Sequence, residues 1–168
     1  TLTFMIYLPG LGGDFLFDDY ANLAILGSQG SVNDLASLWA YISGGVAGPG
    51  GRPISLISFL LNDNAWPSEA YSFKYTNLLL HLLNGLLLYA LIHRFMQDKG
   101  SHEISASFIA LLTTSLWLLQ PLNVSTVLYP VQRMTILATF FVLLGLLGFI
   151  YGRSLLSTHK RSGYTLMS

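Results

Sequence analysis

The chain has 168 residues, of which 52% are apolar and only 10% charged; its formal net charge is zero and it has no cysteine. Soluble domains carry about 25% charged residues, so this composition argues against an ordinary soluble domain and for a bilayer. Neutrality removes the electrostatic case for nucleic acid, and the missing thiols exclude both a disulfide framework and a cysteine metal site.

Residues 1–11, "TLTFMIYLPGL", read as the end of a first membrane helix, so the chain is expected to begin partway through a span. No basic segment precedes the apolar run, as it would in a cleaved signal peptide. Residues 12–70 are expected to form an external loop with short interfacial helices. Ser31 followed by Asp34 suggests a capping-box start, after which Val32, Leu35, Leu38, Trp39 and Ile42 recur at helical spacing. "GGVAGPGG" interrupts that pattern, and Pro53 opens a second short helix, "PISLISFLL", too short to span. Residues 71–93, 104–120 and 134–151 are then predicted as spans, since roughly 30 Å of hydrocarbon takes about 20 apolar residues. An external turn, 121–133, separates the last two, and 152–168 forms a tail. The whole is predicted as one all-α domain, a polytopic helical membrane bundle. No internal repeat at helical-array periods is visible.

Charge placement orients the bundle. Arg94, Lys99, Arg153, Lys160 and Arg161 are five of the eight Lys and Arg residues. All five fall on the side that the positive-inside rule assigns to the cytoplasm. Six of the eight acids, Asp14, Asp18, Asp19, Asp34, Asp63 and Glu69, fall in segment 12–70 on the other side.

Three features carry candidate chemistry. Asp18 and Asp19 are adjacent carboxylates in "FLFDDYANL". Helix capping accounts for one acid at a helix start, but two neighbours repel, so a general base at the membrane surface is the functional alternative. Arg52 and Arg133 are the external arginines. Snorkelling to headgroups is the structural account, and a guanidinium fork also matches a phosphate oxyanion. Lys74, Asn77, His81 and Asn84 fall within about 80° of one helix face. Such a stripe faces a bundle interior or a wet cavity, with interhelical hydrogen bonding as the plainer account. His81 has no second ligand on its face, so no metal site is assigned, and a divalent ion is left open. His93, His102 and His159 read as solvated. Trp66, Trp117 and the tyrosines at span ends read as an interfacial aromatic belt.

These blocks, with "SGGVAGPGGRPISLISFLLN", "SEAYSFKYTNLLLHLLN" and "QPLNVSTVLYPVQRMTILATFFVLLGLLGF", resemble the amino-terminal part of polytopic membrane glycosyltransferases of the C superfamily (GT-C). Among these, the likeness is to bacterial relatives of the tetratricopeptide-repeat O-mannosyltransferases and to pilin glycosyltransferases. The resemblance implies transfer of a sugar from a polyprenyl-phosphate donor to an acceptor hydroxyl, on a protein or a lipid glycan. Transfer would take place on the periplasmic side of a bacterial inner membrane, with inversion at the anomeric carbon. It implies Asp18 as base with Asp19 as companion, and Arg133, Gln132 and Arg52 at the donor phosphate. His81 and Asn84 would be a substrate-binding polar pair, and Gln120 stands where the family often has His before Pro121. A non-catalytic polytopic protein, a transporter or assembly factor, is the competing reading, drawn from the polar stripe.

Overall fold

The computed structural model describes residues 2–28, 30–44 and 52–165, with side chains as far as Ser154 and at Leu156. Described residues form helices α1 (Leu2–Tyr7), α2 (Asp18–Leu23), α3 (Leu35–Ser43), α4 (Pro53–Phe59), α5 (Ala70–Asp98), α6 (Glu103–Leu118), α7 (Asn123–Leu128) and α8 (Arg133–Thr165), with 3-10 turns at Leu8–Gly12 and Pro130–Gln132. Among these residues the fold is all-helical, without a strand.

Local chemistry sets the helix starts. α3 begins three residues later than the Ser31 reading: Asp34 is the cap, and its carboxylate accepts the Ser37 amide at 2.7 Å. The Ser37 hydroxyl accepts the Asp34 amide in return at 3.1 Å, so Ser fills the place usually held by Glu. Pro53 opens α4 as expected, because its fixed φ suits a helix and its missing N–H removes an amide that would have no partner. Most of "GGVAGPGG" lies outside the described residues.

Two helices are long and apolar enough to cross a membrane, Ala70–Asp98 and Pro130–Ser154. Only 22% and 17% of their most apolar windows are buried, unlike the core helix of a soluble domain. The expected span at 104–120 is shorter: α6 has 16 residues, about 24 Å at 1.5 Å per residue, less than the hydrocarbon thickness. The tail does not break at Gly152, since α8 continues to Thr165. Likewise the turn 121–133 contains α7 and a 3-10 turn.

The chain divides into two compact units. Unit one holds Thr1–Leu82 and Leu118–Ala138. Its main core gathers Phe15, Leu23, Leu26, Tyr41, Leu56, Phe59, Phe73, Val131 and Met134; a smaller cluster joins Tyr7, Leu11, Leu78 and Val127. Trp66 packs onto that main core, with ring centroids 4.8 Å from Phe15 and 6.0 Å from Tyr20. It is therefore a packing residue and not a member of an aromatic belt. Unit two holds Leu83–Trp117 and Thr139–Ser168. There Ala106, Ala110 and Thr114 form the buried side of α6, and Arg94 pairs with Asp98 at 3.1 Å while lying over the Tyr151 ring.

Candidate functional site

Phe17 precedes α2 with a positive φ of +34° and ψ of −104°, a backbone conformation that bulky residues rarely occupy. Asp18 and Asp19 follow as the first two helical residues. Successive helical side chains diverge by about 100°, so the two carboxylates cannot share an environment. Asp19 points inward and is 0% exposed. Its two oxygens accept the Leu16 amide at 2.9 Å and the Val131 amide at 2.8 Å. Burial is the main influence on its carboxyl and holds it above the usual carboxylate range, although both amides and Lys74 pull the other way. Asp18 points outward and is exposed. Its backbone amide donates to the Tyr129 hydroxyl at 2.8 Å. Capping thus accounts for neither acid in the simple sense, because α2 has no side-chain cap. Asp19 ties two loops together and Asp18 is left at the surface.

Arg133 departs most from its expected role. Its guanidinium is 0% exposed. Nε donates to Asn77 Oδ1 at 2.7 Å, Nη1 to the Ser58 carbonyl at 2.7 Å and Nη2 to the Phe73 carbonyl at 2.9 Å. The Phe59 and Phe73 rings lie 4.9 and 5.6 Å from its central carbon, so the cation is also held against aromatic faces. With no exposed surface and its fork bonded to the chain, Arg133 has no face left for a donor phosphate. It holds α4, α5 and the start of α8 together.

The polar stripe of α5 is inward, as its spacing indicated: Lys74, Asn77, His81 and Asn84 are all buried. Lys74 Nζ donates to the carbonyls of Gly13 at 2.7 Å and Asp14 at 3.0 Å, pinning the loop that leads to Asp18. Asn77 passes its oxygen to Arg133 and aims its amide at the Tyr129 and Pro130 carbonyls, 3.3 and 3.4 Å away. The His81 ring nitrogen meets the Leu118 carbonyl at 3.2 Å and the ring lies against Tyr7. His81 and Asn84, expected to bind substrate, are therefore buried in the chain itself.

The other expected residues lie on the surface. Arg52 is exposed, takes a left-handed conformation with φ of +49°, and directs Nη1 to Met134 Sδ at 2.8 Å. Gln132 is half-buried, accepting from the Thr135 hydroxyl at 2.9 Å, and Gln120 is exposed. Segment 129–134 is the meeting point. Asp18 attaches to it through Tyr129, Asp19 through Val131 and Arg52 through Met134.

In unit two, Ser107, His93 and Glu103 come within hydrogen-bonding distance in an order that suggests a hydrolytic triad. Both Ser107 Oγ at 3.2 Å and Glu103 Oε1 at 3.0 Å meet the same ring nitrogen, Nε2. A triad needs opposite nitrogens for its base and its orienting acid, so this cluster is a polar clasp between α5 and α6. Gln97 also donates to Glu103. His93 is therefore paired and half-buried, not freely solvated; the side chain of His159 lies outside the described residues. No group of three or more His, Asp or Glu able to hold a metal ion gathers among the described residues.

Tyr129 is a site residue that the sequence does not single out: it lies in the expected external turn 121–133, in no motif. Nothing local marks it, because its link to Asp18 crosses 111 positions. No family model matches the chain, and neither a curated protein nor a solved structure matches it.

Proposed function

We propose that the chain is part of a membrane glycosyltransferase that moves a sugar from a polyprenyl-phosphate donor to an acceptor hydroxyl, with Asp18 as the general base. One observation supports this above others. Asp18, its carboxylate exposed, is held through its backbone amide by Tyr129, and the exposed Arg52 reaches Met134 through Nη1, so both attach to segment 129–134 of a chain with two helices long enough to span a membrane. In the proposed step the acceptor oxygen gives its proton to Asp18 and bonds to the anomeric carbon. The bond from that carbon to the phosphate oxygen breaks, and the lipid phosphate leaves with the electron pair. A positioned base contributes about 10²–10⁴ in rate, and a cation at the departing phosphate offsets the growing negative charge. Arg52 takes that second role here, since Arg133 is enclosed.

The reading includes a polytopic arrangement in a bacterial inner membrane, with segment 12–70 on the periplasmic side and a protein Ser or Thr as acceptor. A lipid glycan is the competing acceptor. The transporter reading drew on the α5 stripe, but Lys74, Asn77 and His81 are engaged with carbonyls and with Arg133 inside unit one, which is a sufficient reason for their burial.

The test is Asp18→Asn in the full-length protein. It is expected to insert and fold normally while transfer falls at least about 100-fold, read by mass spectrometry of surface glycans and pilins against a gene deletion. Undiminished transfer would remove Asp18 as base.

A further inference from the structure

The Tyr129 hydroxyl oxygen accepts the Asp18 amide proton at 2.8 Å. A phenol has one proton of its own to give, and no acceptor for it is found among the described residues. The ring is anchored on the main core of unit one, so the oxygen is held in place while its proton points away from the amide that it satisfies. Burial, with Asp18 and Asp19 as the nearby negative charges, raises this phenol above the ordinary tyrosine value and keeps it protonated at neutral pH. Beside it, Phe17 turns an 84% exposed ring outward from a strained backbone position immediately before Asp18. Residues held in such regions cluster at ligand sites.

We propose that Tyr129 is the acceptor-orienting residue: its phenolic proton is donated to a second oxygen of the acceptor, next to the hydroxyl that Asp18 deprotonates. This rests on the glycosyl-transfer reading above. For a hydroxy-amino-acid acceptor that second oxygen is the peptide carbonyl of the same Ser or Thr, a few bonds from the reacting hydroxyl. Donation there fixes the acceptor in rotation, so the hydroxyl reaches Asp18 and the anomeric carbon together. The geometry that achieves this is local: one oxygen bridges the backbone of the base and the substrate.

The experiment uses the full-length protein in membranes, polyprenyl-phosphate mannose and glucose as donor probes, and a Ser/Thr-rich peptide as acceptor. Tyr129→Phe is expected to lower kcat/KM for the peptide about 10- to 100-fold with an unchanged donor KM, while the protein stays folded because water can take the exposed Asp18 amide. A second variant keeps ring and oxygen, with 3,5-difluorotyrosine incorporated at 129; its more acidic phenol should move the alkaline limb of the pH profile to lower pH. An oxygen that only accepts from the Asp18 amide would not move that limb, because a phenolate accepts as well as a phenol. Wild-type peptide kinetics in Tyr129→Phe and an unmoved limb in the fluorinated protein would overturn the proposal, leaving Asp18 as base intact. Turnover that Asp18→Asn does not reduce would remove the base, and absent transfer in the wild type would remove both.

Discussion

Asp18 and Asp19 are neighbours with opposite fates, and burial decides which is which. Asp19 holds two backbone amides in a place water does not reach. Asp19→Asn keeps one carbonyl oxygen for two donors, so one amide loses its acceptor at a cost of about 1–3 kcal/mol. Thermal unfolding in detergent should show that loss. The pH dependence has a definite sign. A buried carboxyl held above its ordinary value stays protonated in the folded state over a range where the unfolded chain has ionised. Its contribution is therefore complete at acid pH and declines as pH rises through the raised value. The stability gap between wild type and Asp19→Asn should accordingly narrow as pH rises above the ordinary carboxylate range; a gap that widens would contradict the raised carboxyl. Arg133 has a comparable structural role with the opposite charge. Arg133→Met strands Asn77 Oδ1 and two buried carbonyls, for an expected loss of about 3 kcal/mol or more. Arg133→Lys should not restore it, since one ammonium cannot reproduce a three-way planar fork. A phosphate-binding Arg133 would instead leave stability near wild type. The sequence showed that these residues mattered but could not distinguish a ligand from a tie, because that depends on partners about 60 to more than 100 positions away.

At the scale of elements, helical spacing and turn chemistry were legible almost everywhere, and boundaries shifted where a neighbouring residue made a better cap. Asp34 displaced Ser31 because its carboxylate reaches the Ser37 amide. Lengths were less legible: α6 stops short of a span and α8 overruns one. α3 keeps the outward apolar face that suits a membrane interface, with Leu35 84% and Trp39 70% exposed. On the membrane reading that face lies in the headgroup boundary. With Trp66 and Trp117 replaced by Phe, Trp39 emission should shift to the blue on reconstitution and be quenched by lipids brominated near the headgroup; emission like that of free tryptophan in water would contradict it. Leu35→Glu should weaken the shift by placing a charge on the same face.

For the whole molecule, the proposed topology makes its own prediction. Single cysteines at Ser28 and Ser157 should react differently with an impermeant reagent applied from outside, the first modified and the second protected. Equal reaction at both would overturn the orientation taken from the basic residues. Composition and apolar run length by themselves determined an all-helical chain with helices of membrane-crossing length, because hydrocarbon burial and backbone satisfaction act locally along the chain. Spacing alone also assigned the inward stripe of α5. Only the tertiary structure decided which of two adjacent acids is free, that Arg133 is enclosed, and that Tyr129 stands beside Asp18. Those outcomes depend on distant segments competing for the same few buried donors and acceptors, a competition that no local pattern records.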